Sequence, residues 1–201
     1  DSSTSRGLGD VYKRQIGKQQ IGSYGLYFGR VTEEKGVETV IKAYEKLPEY
    51  TVKIMGDDTT DEAKRLKKYV ENHKMKNVEF LGFKSGAELE NVIKGARFTL
   101  IPSIWYDNLP NTALESFQYS KPVIASNIGS LPELVIDGEN GYLFKPSNVE
   151  DLIKKIKMLD DDTLVKKMGQ ASRKRLESRF APQTHYEDLM KIFNEAVKSR
   201  K

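Results

Sequence analysis

Between residues 24 and 144, short apolar runs alternate with stretches of helical periodicity, and this alternation limits the possible folds more than any other feature. The runs 24–28, 51–55, 78–81, 98–101, 122–125 and 141–144 have the length and composition of strands. Several end on a glycine (Gly29, Gly56, Gly82), and unbroken apolar runs suit strands covered on both faces. Residues 35–47, 61–72, 85–96, 111–119 and 131–136 carry apolar side chains at helical spacing between them. The expected fold is α/β, a Rossmann-like, doubly wound parallel sheet of about six strands with helices on both faces. Crossover handedness then gathers every strand's C-terminal end on one edge, where open α/β sheets bind ligands.

After Pro146 the pattern is helical only, with helices expected at 149–159, 163–178 and 183–198. The last carries Tyr186, Leu189, Met190, Phe193 and Val197 on one stripe. Residues 1–20 show neither period and are expected to be a disordered lead-in or sequence foreign to the domain. That leaves 21–181 as the domain and 182–201 as a C-terminal helix.

Length and composition narrow the function. A chain of 201 residues suits one good-sized domain, and the absence of cysteine excludes disulfides and thiolate catalysis. No apolar run approaches the roughly 18 residues of a membrane span. The first twenty residues lack a secretory signal's apolar core, which fits a cytoplasmic location. Net charge is +4, yet residues 21–144 hold fifteen basic against eighteen acidic residues, so nucleic acid is not an expected partner. The basic excess lies in 145–201, whose helices suit either solvated faces or peripheral contact with the inner face of an anionic membrane.

Three loops fall on the expected ligand edge. In Gly29-Arg30-Val31-Thr32-Glu33-Glu34-Lys35-Gly36, a glycine lets backbone approach a ligand, while Arg30 and Lys35 set two cations near a helix start. Such a loop suits a diphosphate, and it is not a P-loop because Gly-Lys-Ser/Thr is absent. The second loop, 102–115, carries Asp107 and Glu115 on either side of a helix start, where both can face one pocket. Carboxylates accept hydrogen bonds from sugar diols, and free N–H groups at Thr112 and Ala113 would offer a second phosphate site. Glu115 is flanked by Leu114 and Phe117 on a helix that must pack on the sheet. The third loop, 125–141, has ordinary Gly-Ser turn chemistry. His73 and His185 stand isolated, and no metal-ligand cluster is visible.

Together, Phe28-Gly29-Arg30 with Glu34-Lys35-Gly36, Pro102-Ser103 with Leu114-Glu115, Pro122 to Ser126, Gly129 to Glu133 and Asp137-Gly138 with Asn140-Gly141 closely resemble one family. It is the C-terminal, donor-binding domain of retaining glycosyltransferases of family 4, which is one half of a GT-B fold. The resemblance runs from about Tyr24 to the final helix. It implies that 21–181 binds a nucleotide diphosphate sugar as substrate, with no cofactor and no metal. Arg30 and Lys35 would hold the diphosphate and stabilise its departure. Asp107, where glutamate is usual, would contact donor-sugar hydroxyls, and Glu115 the ribose. The implied catalytic residues are thus Arg30, Lys35 and Asp107. The wider binding set adds Gly29, Gly82, Phe83, Asn108, Leu109, Thr112, Ala113, Leu114 and Glu115, with residues 81–84 resembling the base-binding loop. GT-B enzymes bind their acceptor on an N-terminal domain, for which this chain has no room, so it is expected to be a fragment inactive alone. Two rivals stay open: a non-catalytic nucleotide-sugar-binding module of a two-chain assembly, and a GT-B epimerase acting on UDP-sugars.

Overall fold

The computed structural model describes residues 20–106, 108–180 and 182–198, so Asp107 and all of the lead-in except Gln20 lie outside the described residues. Strands form where the apolar runs predict them: β1 (Tyr24–Phe28), β2 (Thr51–Met55), β3 (Val78–Gly82), β4 (Ala96–Ile101), β5 (Val123–Ser126) and β6 (Gly141–Phe144). Every pairing is parallel, in the order β3-β2-β1-β4-β5-β6. The central strands are apolar on both faces and are covered on both, while on the outer β2–β3 pair one face carries the Lys53–Glu79 ion pair at 3.2 Å. In β1, Tyr27 packs into one cluster with Ile54, Phe98, Leu100 and Ile124, while Leu26 and Phe28 face another with Met55 and Ala96.

Helices α1 (Val37–Glu45), α2 (Asp61–Asn72), α3 (Gly86–Lys94), α4 (Asn111–Gln118) and α5 (Leu131–Leu134) alternate with the strands; α6 (Val149–Lys157), α7 (Asp162–Arg179) and α8 (Pro182–Lys198) follow them. Side chains of α1, α2 and α6 fill the first face. Ile93 of α3 and the buried residues of α4 and α5 fill the other. Two side-chain caps set helix starts: the Thr60 hydroxyl accepts from the Ala63 N–H at 3.0 Å, and Asn148 Oδ1 from the Asp151 N–H at 2.9 Å. Among the described residues no helix is long and apolar enough to cross a membrane.

Some boundaries differ from the sequence reading. The single helix expected over 35–47 is a 3₁₀ turn, Glu33–Lys35, followed by α1, with Gly36 between them at φ 67°. Only glycine fits there, since a Cβ would sit 2.1 Å from the Pro102 carbonyl oxygen. Ala96, placed at a helix end by its apolar spacing, instead opens β4 and pairs with Tyr24. The α5 helix stops at Leu134 because Val135 is already extended.

Candidate nucleotide site at the C-terminal edge of the sheet

The strand order reverses between β1 and β4, which is the topological switch point where doubly wound sheets open a crevice. A cavity of about 290 Å³ lies along this edge. Phe28, Gly29 and Arg30 wall it at the end of β1, Met55, Gly56 and Asp57 at the end of β2, and Phe83, Lys84 and Leu89 beyond β3, with Thr112 and Glu115 of α4 opposite. Its floor is stitched strand to strand. The Gly29 N–H donates to the Met55 carbonyl at 2.9 Å, and the Gly56 N–H to that of Gly82 at 3.1 Å. A Cβ on Gly56 would lie 1.9 Å from the Gly29 carbonyl oxygen, so the two loops meet this closely only because residue 56 is glycine.

The turn after β1 is held by the Tyr27 hydroxyl, which donates to the Arg30 carbonyl, and Arg30 itself is exposed. Arg30 and Lys35 share a carboxylate neighbour. Glu34 is held below the usual glutamate range first by the Thr32 hydroxyl, 2.7 Å from Oε1, then by its own N–H and by attraction to Arg30 and Lys35. An anion arriving at these cations therefore competes with an ionised Glu34. Asp57, at the cavity wall, is likewise held low by the Thr59 hydroxyl at 2.7 Å and the Thr59 N–H at 2.9 Å. The site thus mixes cations for phosphate with carboxylates for hydroxyls or ring N–H groups.

Of the residues singled out in the sequence, the fold brings Gly29, Arg30, Phe83, Thr112 and Glu115 together in the cavity wall. Lys35 sits in the neighbouring 3₁₀ turn, Gly82 lies beneath as the acceptor for Gly56, and Asn108 and Leu109 are exposed on the following loop. Two expectations need correction. The Ala113 N–H is not free, because it donates to the Pro110 carbonyl at 3.0 Å as α4 opens. Leu114 and the Ala113 side chain are buried in the core against the sheet, and they position α4 without facing the cavity. The His73 ring stacks on Tyr69, with centroids 3.9 Å apart. The Asp107 and His185 side chains lie outside the described residues.

Sequence reasoning did not select Met55, Gly56, Asp57 or Leu89 as site residues, and it reached Lys84 only as the end of the 81–84 loop. The available signal was topological: Gly56 and Asp57 follow the end of β2 on the same edge as Gly29.

A six-stranded parallel sheet with a crevice of glycine, cations and carboxylates at its switch point defines an open, doubly wound α/β domain with its ligand edge at β1 and β4. The chain belongs to the glycosyl transferases group 1 family, whose model matches residues 10–175. It is 30% identical over 174 residues to an uncharacterized glycosyltransferase of Methanocaldococcus jannaschii, covering 86% of this chain and 48% of that one. To the glycogen synthase of Mycobacterium tuberculosis it is 33% identical over 169 residues, covering 79% and 39%. The chain thus spans less than half the length of these two relatives. Among solved structures, it resembles the C-terminal domain of a group 1 glycosyl transferase family protein from Francisella tularensis (TM-score 0.71, 25% identity, 86% of this chain and 97% of that one). It also shares the fold of sucrose-phosphate synthase from Thermosynechococcus elongatus (TM-score 0.76, 24% identity, 88% and 46%). An Anabaena protein in complex with UDP-glucose matches at TM-score 0.77 and 22% identity, covering 87% and 49%. The fold is therefore the Rossmann-like α/β half seen in GT-B glycosyltransferases.

Proposed function

We propose that this chain is the donor-binding domain of a retaining glycosyltransferase of family 4, which transfers a sugar from a nucleotide diphosphate sugar to an acceptor. The observation that carries the reading is the cavity at the β1/β4 switch point, walled by Arg30 on one side and Glu115 on the other. Arg30 and Lys35 bind the diphosphate and stabilise the charge left on it as the sugar C1–O bond breaks. That electrostatic task is the one a metal performs in other transferases, and no metal or cofactor is assigned here. Glu115 accepts hydrogen bonds from the ribose diol, and the 81–84 loop meets the base. The roles of Asp107 on the donor sugar, and of Asn108 and Leu109 beside it, rest on the motif resemblance.

The UDP-glucose complex of the Anabaena protein supports a nucleotide-sugar ligand, and the named relatives support a transferase over an epimerase or a non-catalytic module. Turnover then needs an acceptor-binding domain beyond these residues. We place the reaction in the cytoplasm at the inner face of the membrane, as suits envelope polysaccharide or glycolipid synthesis; a capsular polysaccharide biosynthesis glycosyltransferase of Staphylococcus aureus is among the relatives.

A thermal-shift panel of UDP-, GDP- and ADP-sugars tests the reading. One of them at a hundred times its Kd adds about 2.7 kcal/mol of stability. Melting unchanged by all three classes overturns it.

A further inference from the structure

Among the described residues, apart from Met158, the large apolar side chains left exposed fall into two groups: six on α8, and five on two loops at the ligand edge. The second group is Phe83, 73% exposed, with Ile104, Trp105 (68%), Tyr106 (73%) and Leu109. Exposed apolar side chains grouped on loops beside a cavity are candidates for binding. Phe83 lines the cavity itself, while Trp105 and Tyr106 stand outside its walls.

Their loop is fixed at both ends to the cavity's own elements. The Ile104 N–H donates to the Glu34 carbonyl at 3.0 Å, which ties the loop to the turn bearing Arg30 and Lys35. At its other end it runs through Pro110 into α4, whose Thr112 and Glu115 line the cavity. A volume of about 290 Å³ is at the lower limit for small-molecule sites, roughly 300–1,000 Å³. It suits a nucleoside and its phosphates, which leaves a sugar attached to them to be met by groups beyond these walls.

A pyranose offers an apolar face of C–H groups and a rim of hydroxyls. The negative face of an aromatic ring attracts the first, and amide, hydroxyl and carboxylate groups take the second. Trp105 and Tyr106 supply the rings; Asn108, Thr112 and Glu115 supply the polar groups on the same loop and helix. Charge and hydrogen-bonding groups set this close to the rings favour a carbohydrate over an apolar protein surface. We propose that Trp105 and Tyr106 form a stacking platform for the hexose of a nucleotide sugar, and that they set which sugar is accepted. The inference rests on the nucleotide-sugar reading above.

Trp105 is the single tryptophan of the chain, so its fluorescence reports this loop alone. The probes are UDP-glucose, UDP-N-acetylglucosamine, GDP-mannose and ADP-glucose, each compared by calorimetry and fluorescence with its own nucleoside diphosphate. At least one sugar nucleotide should shift the emission while its diphosphate does not. Trp105→Ala should weaken that sugar nucleotide by about five- to tenfold, leave the diphosphate unchanged, and be rescued by Trp105→Phe. Binding with equal fluorescence change for both ligands of every pair, and an unchanged affinity ratio in Trp105→Ala, overturns the platform while leaving the nucleotide site standing. Absence of binding by all seven ligands overturns the nucleotide-sugar reading, and the platform with it.

Discussion

Arg30 and Lys35 act on the same local field, since both attract the Glu34 carboxylate. Charge-assisted contacts to a diphosphate are worth roughly 1.5–3 kcal/mol each. Arg30→Ala and Lys35→Ala should each weaken nucleoside diphosphate binding by about that amount with an unchanged melting temperature; unchanged affinity in both, by calorimetry, removes the phosphate assignment. Glu115→Gln keeps the side chain's shape and loses its charge, so a ribonucleotide should lose affinity while its 2′,3′-dideoxy analogue loses less. Equal losses would place Glu115 on something other than the ribose. Arg30 and Glu115 were legible in the sequence because one follows a strand end and the other lies a turn into the next helix. Whether an N–H at a helix start is free was not legible, because at Ala113 it depends on a bond to Pro110 that composition does not reveal. Asp57 and Leu89 were missed because they join the site only through the lateral order of strands.

At the scale of elements, one lysine ties three segments together at the sheet edge opposite the cavity. Lys121 is 1% exposed, and its ammonium donates to the carbonyls of Gln20, Lys94 and Ala96 at 2.6, 2.6 and 2.7 Å. These lie ahead of β1, at the end of α3 and at the start of β4. Removing the donor leaves three carbonyls without this partner, that of buried Ala96 among them, so Lys121→Met should cost about 3 kcal/mol at neutral pH in chemical denaturation. Burial lowers the lysine's pKa to about 8, against 10.5 in the unfolded chain. Between those values the unfolded chain holds more protons, so the part of this group's contribution to stability that comes from the pKa difference rises with pH and is lost as pH falls through 8, below which the ammonium's hydrogen bonds remain. The gap between wild type and Lys121→Met should therefore widen from pH 8 to 10.5; a constant gap contradicts it.

The α8 helix presents the opposite situation. Tyr186, Leu189, Met190, Phe193 and Val197, whose stripe was legible from spacing alone, are all exposed, as is Ile192. A helix with an uncovered apolar face is weakly held or finds a partner. Rapid amide exchange in this helix, or self-association seen by light scattering, is expected; strong protection in a verified monomer would contradict that.

For the whole molecule, strand and helix existence and a parallel sheet covered by helices on both faces were written in the alternation of apolar runs, whereas the strand order was not. What was not written locally was the joining of separate loops into one wall. Gly29, Gly56 and Gly82 approach one another only once β1, β2 and β3 lie side by side. The central claim is that a nucleotide sugar binds on this edge and nowhere else on the domain. Amide hydrogen exchange with and without the UDP-, GDP- or ADP-sugar that raises the melting temperature measures it most directly. The account predicts slowed exchange in residues 29–36, 82–85 and 108–115, with the Lys121 edge unchanged. Bound ligand with no protection in those three segments, or with protection centred on another part of the fold, would contradict it.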